Sequence, residues 1–275
     1  MIVTVKQVLD PEAPPSLMQV DPETFEVSGS GVAPRLDPYS MNALQAALDL
    51  RERCAPDRTV EIHVVGIGPS PSRNLYLRAL ACGADRVSLL DTSRDPVPFG
   101  DAWGTADRLV GLIGHVNSQS WDLLLVGRRA ADTNSAAVGP AMAHRLGVPV
   151  VTMATAVRLG DTEAGCDRVV VEQLSDSGSN VLTAPLPVVV CVSHEVGEPP
   201  AVPFSNMVAA KKMPLEILTP GDLGGNDGTE AISCVSLLRG MHQRDDHRSC
   251  QLVEGSDGRN AGRELARRIG EVIRT

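Results

Sequence analysis

Aromatic residues are scarce in this 275-residue chain, which contains two Trp, two Tyr and three Phe. A core with so few rings must be built from Val, Leu, Ile and Ala, as is typical of buried parallel strands. Long apolar runs are also lacking, and none approaches the roughly 20 residues that a membrane-spanning helix requires. We therefore expect an α/β protein with one large core and no membrane insertion.

The chain also lacks paired cysteines and an excess of positive charge. The six cysteines include no C-x-x-C pair and the six histidines show no ligand spacing, which argues against a metal site or a disulfide framework. The net charge of −9 argues against nucleic-acid binding. No hydrolase pattern occurs, and no catalytic residue is predicted. The first residues enter a strand-like run without a signal-peptide layout, which predicts a cytoplasmic location.

Strand-like and helix-like segments alternate through the first 146 residues. The strands are predicted at residues 2–8, 60–65, 86–90 and 123–126, and the helices at residues 37–53, 72–82, 102–116 and 136–146. This alternation indicates βαβ units that form a mostly parallel sheet with helices on both faces, a Rossmann-like fold. A proline-rich excursion precedes the first helix, and residues 18–27 within it predict a hairpin.

The pattern changes after residue 146. Three extended segments joined by turn residues indicate an antiparallel extension of the sheet, and a dense apolar strand follows them. These four segments lie at residues 150–157, 168–174, 180–184 and 186–192. Alternation then ends, and a last helix is predicted at residues 261–273. We therefore divide the chain into an α/β domain at residues 1–196 and an extended arm at residues 197–275.

The most informative segment follows the fourth predicted strand, where a polar loop runs from Gly127 into an apolar helix. The first amides of a helix have no internal partners and lie at the positive end of its dipole, so such a loop can bind an anion. Gly127 lets a ligand approach the backbone, and Arg128 and Arg129 add positive charge. An ordinary βα turn with a good helix cap fits the same residues. Asp132 accordingly has two interpretations, as a helix cap or as a ligand contact.

Six short segments occur in a specific order along the chain. They are VTVKQV at residues 3–8, DPYS at 37–40, ALACGADR at 79–86, GRRAADTNSAAVGP at 127–140, LPVVV at 186–190, and EP at 198–199 followed by NMVAAKK at 206–212. This ordered set resembles the beta subunit of electron transfer flavoprotein, the EtfB/FixA family. The likeness extends over most of the chain to residue 224.

The resemblance implies that residues 1–196 bind an adenine nucleotide and that residues 197–275 hold a recognition loop and a C-terminal arm that wraps an alpha subunit. In the family, the heterodimer contains FAD, which sits mainly on the alpha subunit. The beta subunit holds AMP or, in electron-bifurcating members, a second FAD. The family's nucleotide contacts fall here on Thr4, Lys6, Asp37, Pro38, Tyr39, Ser40, Ile67, Gly127, Arg128, Ala130, Asp132, Thr133, Asn134, Ser135 and Val138.

Three positions refine what the resemblance implies. The family usually has Asn where Asp37 stands, so this chain places an anion near the expected phosphate. It commonly has a basic residue at about the position of Gln173, and a charge that stabilises the flavin is therefore expected to be missing. The loop ending Val138-Gly139-Pro140 is similar to the FixA and bifurcating members, which favours FAD over AMP in the beta-subunit site.

The resemblance also implies that the loop at residues 198–212 docks a flavin dehydrogenase. The family's apolar anchor falls on Phe204, and Asn206, Lys211 and Lys212 follow it. An exposed aromatic side chain on a proline-stiffened loop is typical of a binding hot spot. The alternative is that Phe204 packs into the arm and that the two lysines are only solvated.

The sequence is compatible with three functions. The first is an electron carrier whose FAD passes electrons from flavin dehydrogenases to a quinone-linked or other acceptor, with no bond-making chemistry by this subunit. The second is an electron-bifurcating, FixA-type subunit that binds its own FAD and oxidises NADH. The third is a stand-alone adenine-nucleotide sensor, which would be a stable monomer without flavin.

Overall fold

A computed structural model describes residues 1–54, 59–116, 120–160, 168–199, 201–223, 238–241 and 250–273. The chain divides into two compact units, Met1–Met241 and His242–Thr275. The described strands of the first unit are β1 (Ile2–Thr4), β2 (Gln7–Leu9), β3 (Met18–Val20), β4 (Val27–Gly29), β5 (Pro34–Leu36), β6 (His63–Gly68), β7 (Arg86–Asp91), β8 (Leu123–Gly127), β9 (Val150–Leu159), β10 (Arg168–Ser175), β11 (Gly178–Pro185), β12 (Val188–Val192) and β13 (Leu215–Leu218). Its described α-helices are α1 (Pro38–Arg53), α2 (Arg73–Cys82), α3 (Ala102–Val116), α4 (Val138–Leu146) and α5 (Phe204–Ala210).

One large sheet organises the first unit, with the strand order β11-β10-β9-β12-β8-β1-β6-β7-β13. The seven strands from β9 to β13 in that order run parallel. Strands β10 and β11 add an antiparallel extension beside β9. The prediction of an α/β fold with a mostly parallel sheet is therefore confirmed, and so is the antiparallel extension.

Alternating side chains divide the core into two layers, one on each face of the sheet. Leu123 and Leu125 of β8 belong to the layer that contains α1 and α2, whereas Leu124 and Val126 belong to the layer that contains α3 and α4. Successive side chains of a strand point to opposite faces, so a strand covered on both sides reads as one continuous apolar run. This explains why the scarcity of aromatic residues does not prevent a large core.

The path of the chain creates a switch point between β1 and β8. From β1 the chain moves outward through α1 to β6 and through α2 to β7, and it then returns through α3 to β8 on the other side of β1. In open α/β sheets, ligands bind in the crevice that opens beyond the carboxyl ends of the strands at such a point. The topology thus predicts a ligand-binding site at the carboxyl ends of β1 and β8.

The predicted first strand, residues 2–8, is divided in the structure. Strand β1 ends at Thr4, and β2 leaves the large sheet to pair with β5. The main chain turns there because the Asp37 amide donates to the Lys6 carbonyl at 2.8 Å, which brings the start of α1 beside the end of β1. The predicted hairpin is present as β3 and β4, which are antiparallel with Met18 opposite Gly29.

Helix α5 and strand β13 were not predicted from the sequence. Met207 and Ala210 of α5 pack into the core, and Leu215 of β13 pairs with Val87 of β7 at the edge of the sheet. Both elements are short, and the N-cap residue of α5, Pro203, provides no side-chain cap. Their stability comes from tertiary packing, which local sequence patterns do not report.

A polar chain fixes β13 against the sheet. His63 Nε2 lies 2.7 Å from Ser88 Oγ, and the same hydroxyl donates to Glu216 Oε1 at 2.6 Å. His63 and Ser88 are each 1% exposed. Because buried polar groups are stable only when they have hydrogen-bond partners, this chain holds Glu216 opposite Ser88.

The described part of the second unit contains helix α6 (Gly258–Ile273). It begins three residues before the predicted position because Asp257 caps it, accepting from the Asn260 amide at 2.8 Å. Leu265, Ile269 and Val272 form an exposed apolar stripe at helical spacing. No described helix, in either unit, is long and apolar enough to cross a lipid bilayer.

Candidate functional site

A cleft of about 530 Å³ opens at the switch point. The carboxyl ends of β1, β6 and β8 line it, together with the loop after β8 and the segment between β7 and α3. Its volume lies in the range of sites that bind small molecules and cofactors. The cleft therefore occupies the position that the topology selects.

Most of the predicted nucleotide contacts line this cleft. They are Thr4, Lys6, Ser40, Ile67, Gly127, Arg128, Ala130, Asp132, Thr133, Ser135 and Val138. The other four predicted contacts, Asp37, Pro38, Tyr39 and Asn134, lie next to the cleft in sequence but do not line it. Residues that are far apart in the chain are thus brought to one place.

The loop after β8 turns twice before α4 begins. Asn134 and Ala136 have φ values of 53° and 54°, in the left-handed region that residues with a side chain rarely adopt. The loop therefore carries local backbone strain, which tends to concentrate at functional sites. Helix α4 then starts at Val138, and its N-cap residue, Ala137, provides no side-chain cap. Amides at this end of the helix remain available to an anion, and Val138 and Gly139 both line the cleft.

Asp132 does not cap α4, so this interpretation of the residue is wrong. The two left-handed residues separate it from the helix. Its carboxylate instead pairs with Lys6, with 2.6 Å between Nζ and Oδ2, and accepts from the Thr133 amide at 2.7 Å. The pair joins the end of β1 to the loop, and it leaves the Lys6 side chain 40% exposed at the cleft.

Asp37 is fully buried and connects α1 to the loop. It caps α1, since Oδ2 accepts from the Ser40 amide at 2.8 Å, and Oδ1 accepts from the Ala131 amide at 2.8 Å. Burial raises the pKa of this carboxyl group above its usual value, although the amide hydrogen bonds oppose the shift. Asp37 thus positions the loop, while Ser40 beside it reaches the cleft.

Gly127 permits the close approach of these two elements. A Cβ atom at this position would lie 2.6 Å from the Tyr39 carbonyl carbon and 2.9 Å from the Ser40 nitrogen. No side chain fits there without moving the first turn of α1. The glycine is therefore required for packing of the site as well as for ligand access.

The two arginines of the loop occupy different positions. Arg128 donates from Nη1 to Ser193 Oγ at 3.2 Å, and its amide donates to the Val192 carbonyl at the end of β12. Arg129 is not merely solvated, because its guanidinium lies 4.8 Å from the centre of the Tyr39 ring and hydrogen-bonds the Tyr39 hydroxyl. Both arginines line the cleft and give it positive charge.

Sequence reasoning missed one wall of the cleft. Residues 97–102 and Thr105, between β7 and the first turn of α3, line it. Asp101 is the charged residue of this wall and is 1% exposed. An acidic residue immediately before a helix is the usual signal of a cap, so the sequence alone gave no reason to place Asp101 in a site.

Gln173 lies on β10, at about the position where the family commonly has a basic residue. Its Nε2 atom donates to the Thr152 carbonyl at 2.9 Å, next to a shift in the register of β9 and β10. Met153, the following residue of β9, has a φ of 57°. The Gln173 amide is therefore engaged by the backbone, and it brings no positive charge to this end of the sheet.

The predicted docking residues lie on and after α5. Phe204 is 84% exposed, and Val208, one helical turn later, is 44% exposed. The Asn206 side chain instead faces α2, where Nδ2 donates to the Ala81 carbonyl at 3.5 Å. Lys211 and Lys212 are exposed. The structure therefore excludes a packed position for Phe204 within the first unit.

We predict that Asp37→Asn reduces the pH dependence of stability. The raised pKa means that the folded state holds this proton more tightly than the unfolded state. The stabilising contribution of Asp37 is therefore largest at acid pH, and it falls as the pH rises from about 3.8 through the folded value. The free energy of unfolding, measured against pH, should slope less in Asp37→Asn than in the parent. Asp49→Asn, twelve residues along the same helix, is the control, and identical slopes for Asp37→Asn and the parent would contradict the prediction.

Known proteins are similar to this chain over most of its length. A family model described as "Electron transfer flavoprotein domain" matches residues 24–223. The electron transfer flavoprotein subunit beta of Megasphaera elsdenii is 28% identical over 237 residues, which cover 85% of this chain and 83% of that protein. The caffeyl-CoA reductase-Etf complex subunit CarD of Acetobacterium woodii is 30% identical over 226 residues, with coverages of 82% and 79%. The human electron transfer flavoprotein subunit beta is 29% identical over 237 residues, with coverages of 86% and 87%.

The family match covers more than half of the chain, and the similar proteins cover most of it. The resemblance identified from the six sequence segments is confirmed. This chain belongs to the electron transfer flavoprotein family and is a protein of the beta-subunit type.

Proposed function

We propose that this chain forms an FAD-containing heterodimer with an alpha subunit and that its cleft binds the adenylate part of a nucleotide. The proposal rests mainly on one observation: Lys6, Arg128, Arg129 and the uncapped end of α4 line the same cleft. Cationic side chains and free helix amides together suit a phosphate group. FAD in the heterodimer supplies the electron-carrying chemistry, and this chain binds and orients the nucleotide.

The remaining lining residues suit the nucleoside. The hydroxyl groups of Ser40, Thr133 and Ser135 can donate to and accept from ribose and adenine. Ile67 and Val138 offer apolar contact to a flat base. The site thus combines an apolar surface with a few polar groups, as is usual for nucleotide and cofactor sites.

A second FAD in this cleft is the alternative to AMP. The observation that favours it is the extent of the cleft, which continues beyond the adenylate residues to the wall formed by residues 97–102 and Thr105. One of the similar proteins is named as a subunit of a caffeyl-CoA reductase-Etf complex.

We further propose that α5 docks a flavin dehydrogenase. Phe204 and Val208 are exposed one helical turn apart, while Met207 and Ala210 fix the opposite side of the helix to the core. A rigid helix that presents an aromatic side chain has the build of a binding hot spot. Lys211 and Lys212 can steer an acidic surface towards it.

Helix α6 is the part of the arm that we propose for the alpha subunit. Leu265, Ile269 and Val272 are 48%, 49% and 75% exposed, so α6 presents an apolar stripe. Ion pairs of Glu264 with Arg267 and Arg268 support the helix on its polar side. Such a helix gains most of its stability when its apolar side is covered by another protein surface.

The nucleotide content of the heterodimer tests the central proposal. We expect this chain, copurified with its alpha subunit, to retain an adenine nucleotide in addition to the shared FAD. One flavin plus AMP, with no response to NADH, identifies a carrier. Two flavins that bleach on addition of NADH identify a bifurcating subunit. A stable monomer that binds nucleotide without flavin contradicts the proposal and favours the sensor.

We predict that Lys6→Met weakens AMP binding by about tenfold or more, because a charged hydrogen bond to phosphate contributes about 1.5–3 kcal/mol. The loss also leaves the Asp132 carboxylate unpaired beside the phosphate. Isothermal titration of the full chain with AMP measures the effect. Lys211→Met, which removes a lysine outside the cleft, should leave the affinity unchanged. Equal affinities of Lys6→Met and the parent would remove Lys6 from the site.

We predict that Phe204→Ala weakens association with the dehydrogenase by about tenfold or more, the usual scale of a hot-spot aromatic residue, while nucleotide content stays constant. Electron transfer measured against dehydrogenase concentration reports the association. Val181→Ala is the matched control, since Val181 is an apolar residue of β11 that is 66% exposed. A loss of flavin in Phe204→Ala, or an equal effect of both substitutions, would argue against docking.

A further inference from the structure

The hairpin formed by β3 and β4 contributes a wall of the cleft. Met18, Glu26 and Val27 line the cleft, as Lys6 and Arg128 do. The hairpin belongs to the segment between β2 and β5, and none of the predicted nucleotide contacts lies in that segment. The hairpin therefore faces the same cavity as the cationic residues, but the proposed phosphate site gives it no role.

The two faces of the hairpin differ in polarity. Val20 is opposite Val27, and Met18, two residues before Val20, shares their face because alternate residues of a strand point to the same side. These three side chains are half-buried. Gln19 is opposite Ser28 on the other face, and both are exposed. Since Met18 and Val27 line the cleft, the apolar face of the hairpin is the one directed towards it.

The base of the hairpin segment is fixed close to Lys6. Strand β2 follows Lys6, strand β5 ends just before Asp37, and the Asp37 amide donates to the Lys6 carbonyl at 2.8 Å. Val8 of β2 is opposite Arg35 of β5. Arg35 also pairs with Asp10, with 3.1 Å between Nη1 and Oδ1. The segment thus leaves the large sheet and returns to it beside the residues proposed for the phosphate.

The hairpin keeps its shape through its own hydrogen bonds. At its turn, the Asp21 amide donates to the Glu26 carbonyl at 2.9 Å, and Asp21 Oδ1 accepts from the Glu23 and Thr24 amides at 2.8 Å and 2.7 Å. These amides are therefore engaged within the hairpin and are not directed to a ligand. What the hairpin offers to the cleft is its side chains.

The chemistry of this wall excludes phosphate and favours a flat ring. Residues 10–34 contain five acidic side chains and no Lys, Arg or His, and one of the acids, Glu26, lines the cleft. Carboxylates repel phosphate. A thioether and a branched aliphatic side chain instead suit an aromatic ring, and methionine sulfur makes favourable contacts with ring edges. Half-buried Val97 and Phe99 add apolar surface to the same cleft.

We propose that Met18 and Val27 cover the heteroaromatic ring of the nucleotide in the cleft, an inference that rests on the proposed function of the cleft. The ring is either the adenine or, when the ligand is FAD, the isoalloxazine. Lys6 and the arginines then hold the phosphate, while the hairpin shields the ring from water. Met18 and Val27 are thus positioning residues, and they supply affinity for the ring but none for the phosphate.

Polar substitutions of similar shape test this role in the full chain freed of nucleotide. Met18→Gln combined with Val27→Thr keeps the size of both side chains and removes their apolar character. We expect this double variant to bind AMP or FAD about 5- to 30-fold more weakly than the parent, because apolar contact with the ring is lost. Isothermal titration measures both affinities. Gln19→Thr combined with Ser28→Thr alters the exposed face of the same hairpin and should leave them unchanged.

The two ligands distinguish the two rings. Weaker binding of AMP by the Met18→Gln, Val27→Thr variant identifies adenine as the covered ring, since AMP contains no other. Weaker binding of FAD with unchanged binding of AMP identifies the isoalloxazine. Ribose 5-phosphate carries the phosphate and the sugar without a ring, and its affinity is measured by competition with AMP or FAD. It should be the same in the variant and in the parent.

Three results would overturn the inference. The Met18→Gln, Val27→Thr variant could bind AMP and FAD as tightly as the parent, or it could lose the same factor for ribose 5-phosphate, which indicates a general change in the cleft. The exposed-face variant could weaken binding equally. Failure of the parent to bind either AMP or FAD would instead refute the proposed function of the cleft.

Discussion

The first turn of α1 and the loop after β8 touch so closely that position 127 accepts only glycine. Buried Asp37 stabilises this contact, because its carboxylate accepts hydrogen bonds from the Ser40 amide of α1 and from the Ala131 amide of the loop. The rest of the site follows from it, because the loop holds Arg128 and Arg129 in place and leads to the uncapped start of α4. The cost is a buried carboxylate, which is tolerated because each of its oxygens is hydrogen-bonded.

The chain as a whole is acidic, whereas cationic side chains line its cleft. The chain carries a net charge of −9, yet cationic groups surround the ends of β1 and β8. Asp132 partly neutralises Lys6, whereas Arg128 and Arg129 also line the cleft. An anionic group is therefore favoured in the cleft although the chain as a whole is acidic.

The sequence was sufficient for most of the fold and for the position of the loop. Alternating strands and helices of ordinary length are predicted from their own residues, and the family resemblance predicted that Thr4, Ser40 and Ile67 lie together with the loop. The features that local sequence patterns did not predict depend on contacts between residues far apart in the chain. The Arg129 guanidinium lies over the Tyr39 ring because α1 approaches the loop, and the segment between β7 and α3 forms a further wall of the cleft. Helix α5 and strand β13 form only against a completed sheet.

Strand β13 has a consequence for how accurately α5 is presented. Ser88 and Glu216 are opposite each other, and a slip of one residue would turn Glu216 towards the other face of the sheet and break its contact with the hydroxyl. The hydrogen bond from buried Ser88 to Glu216 therefore fixes the register of β13 against β7. Four residues join α5 to β13. The alignment of β13 therefore also restricts the position at which α5 presents the aromatic ring of Phe204 to another protein.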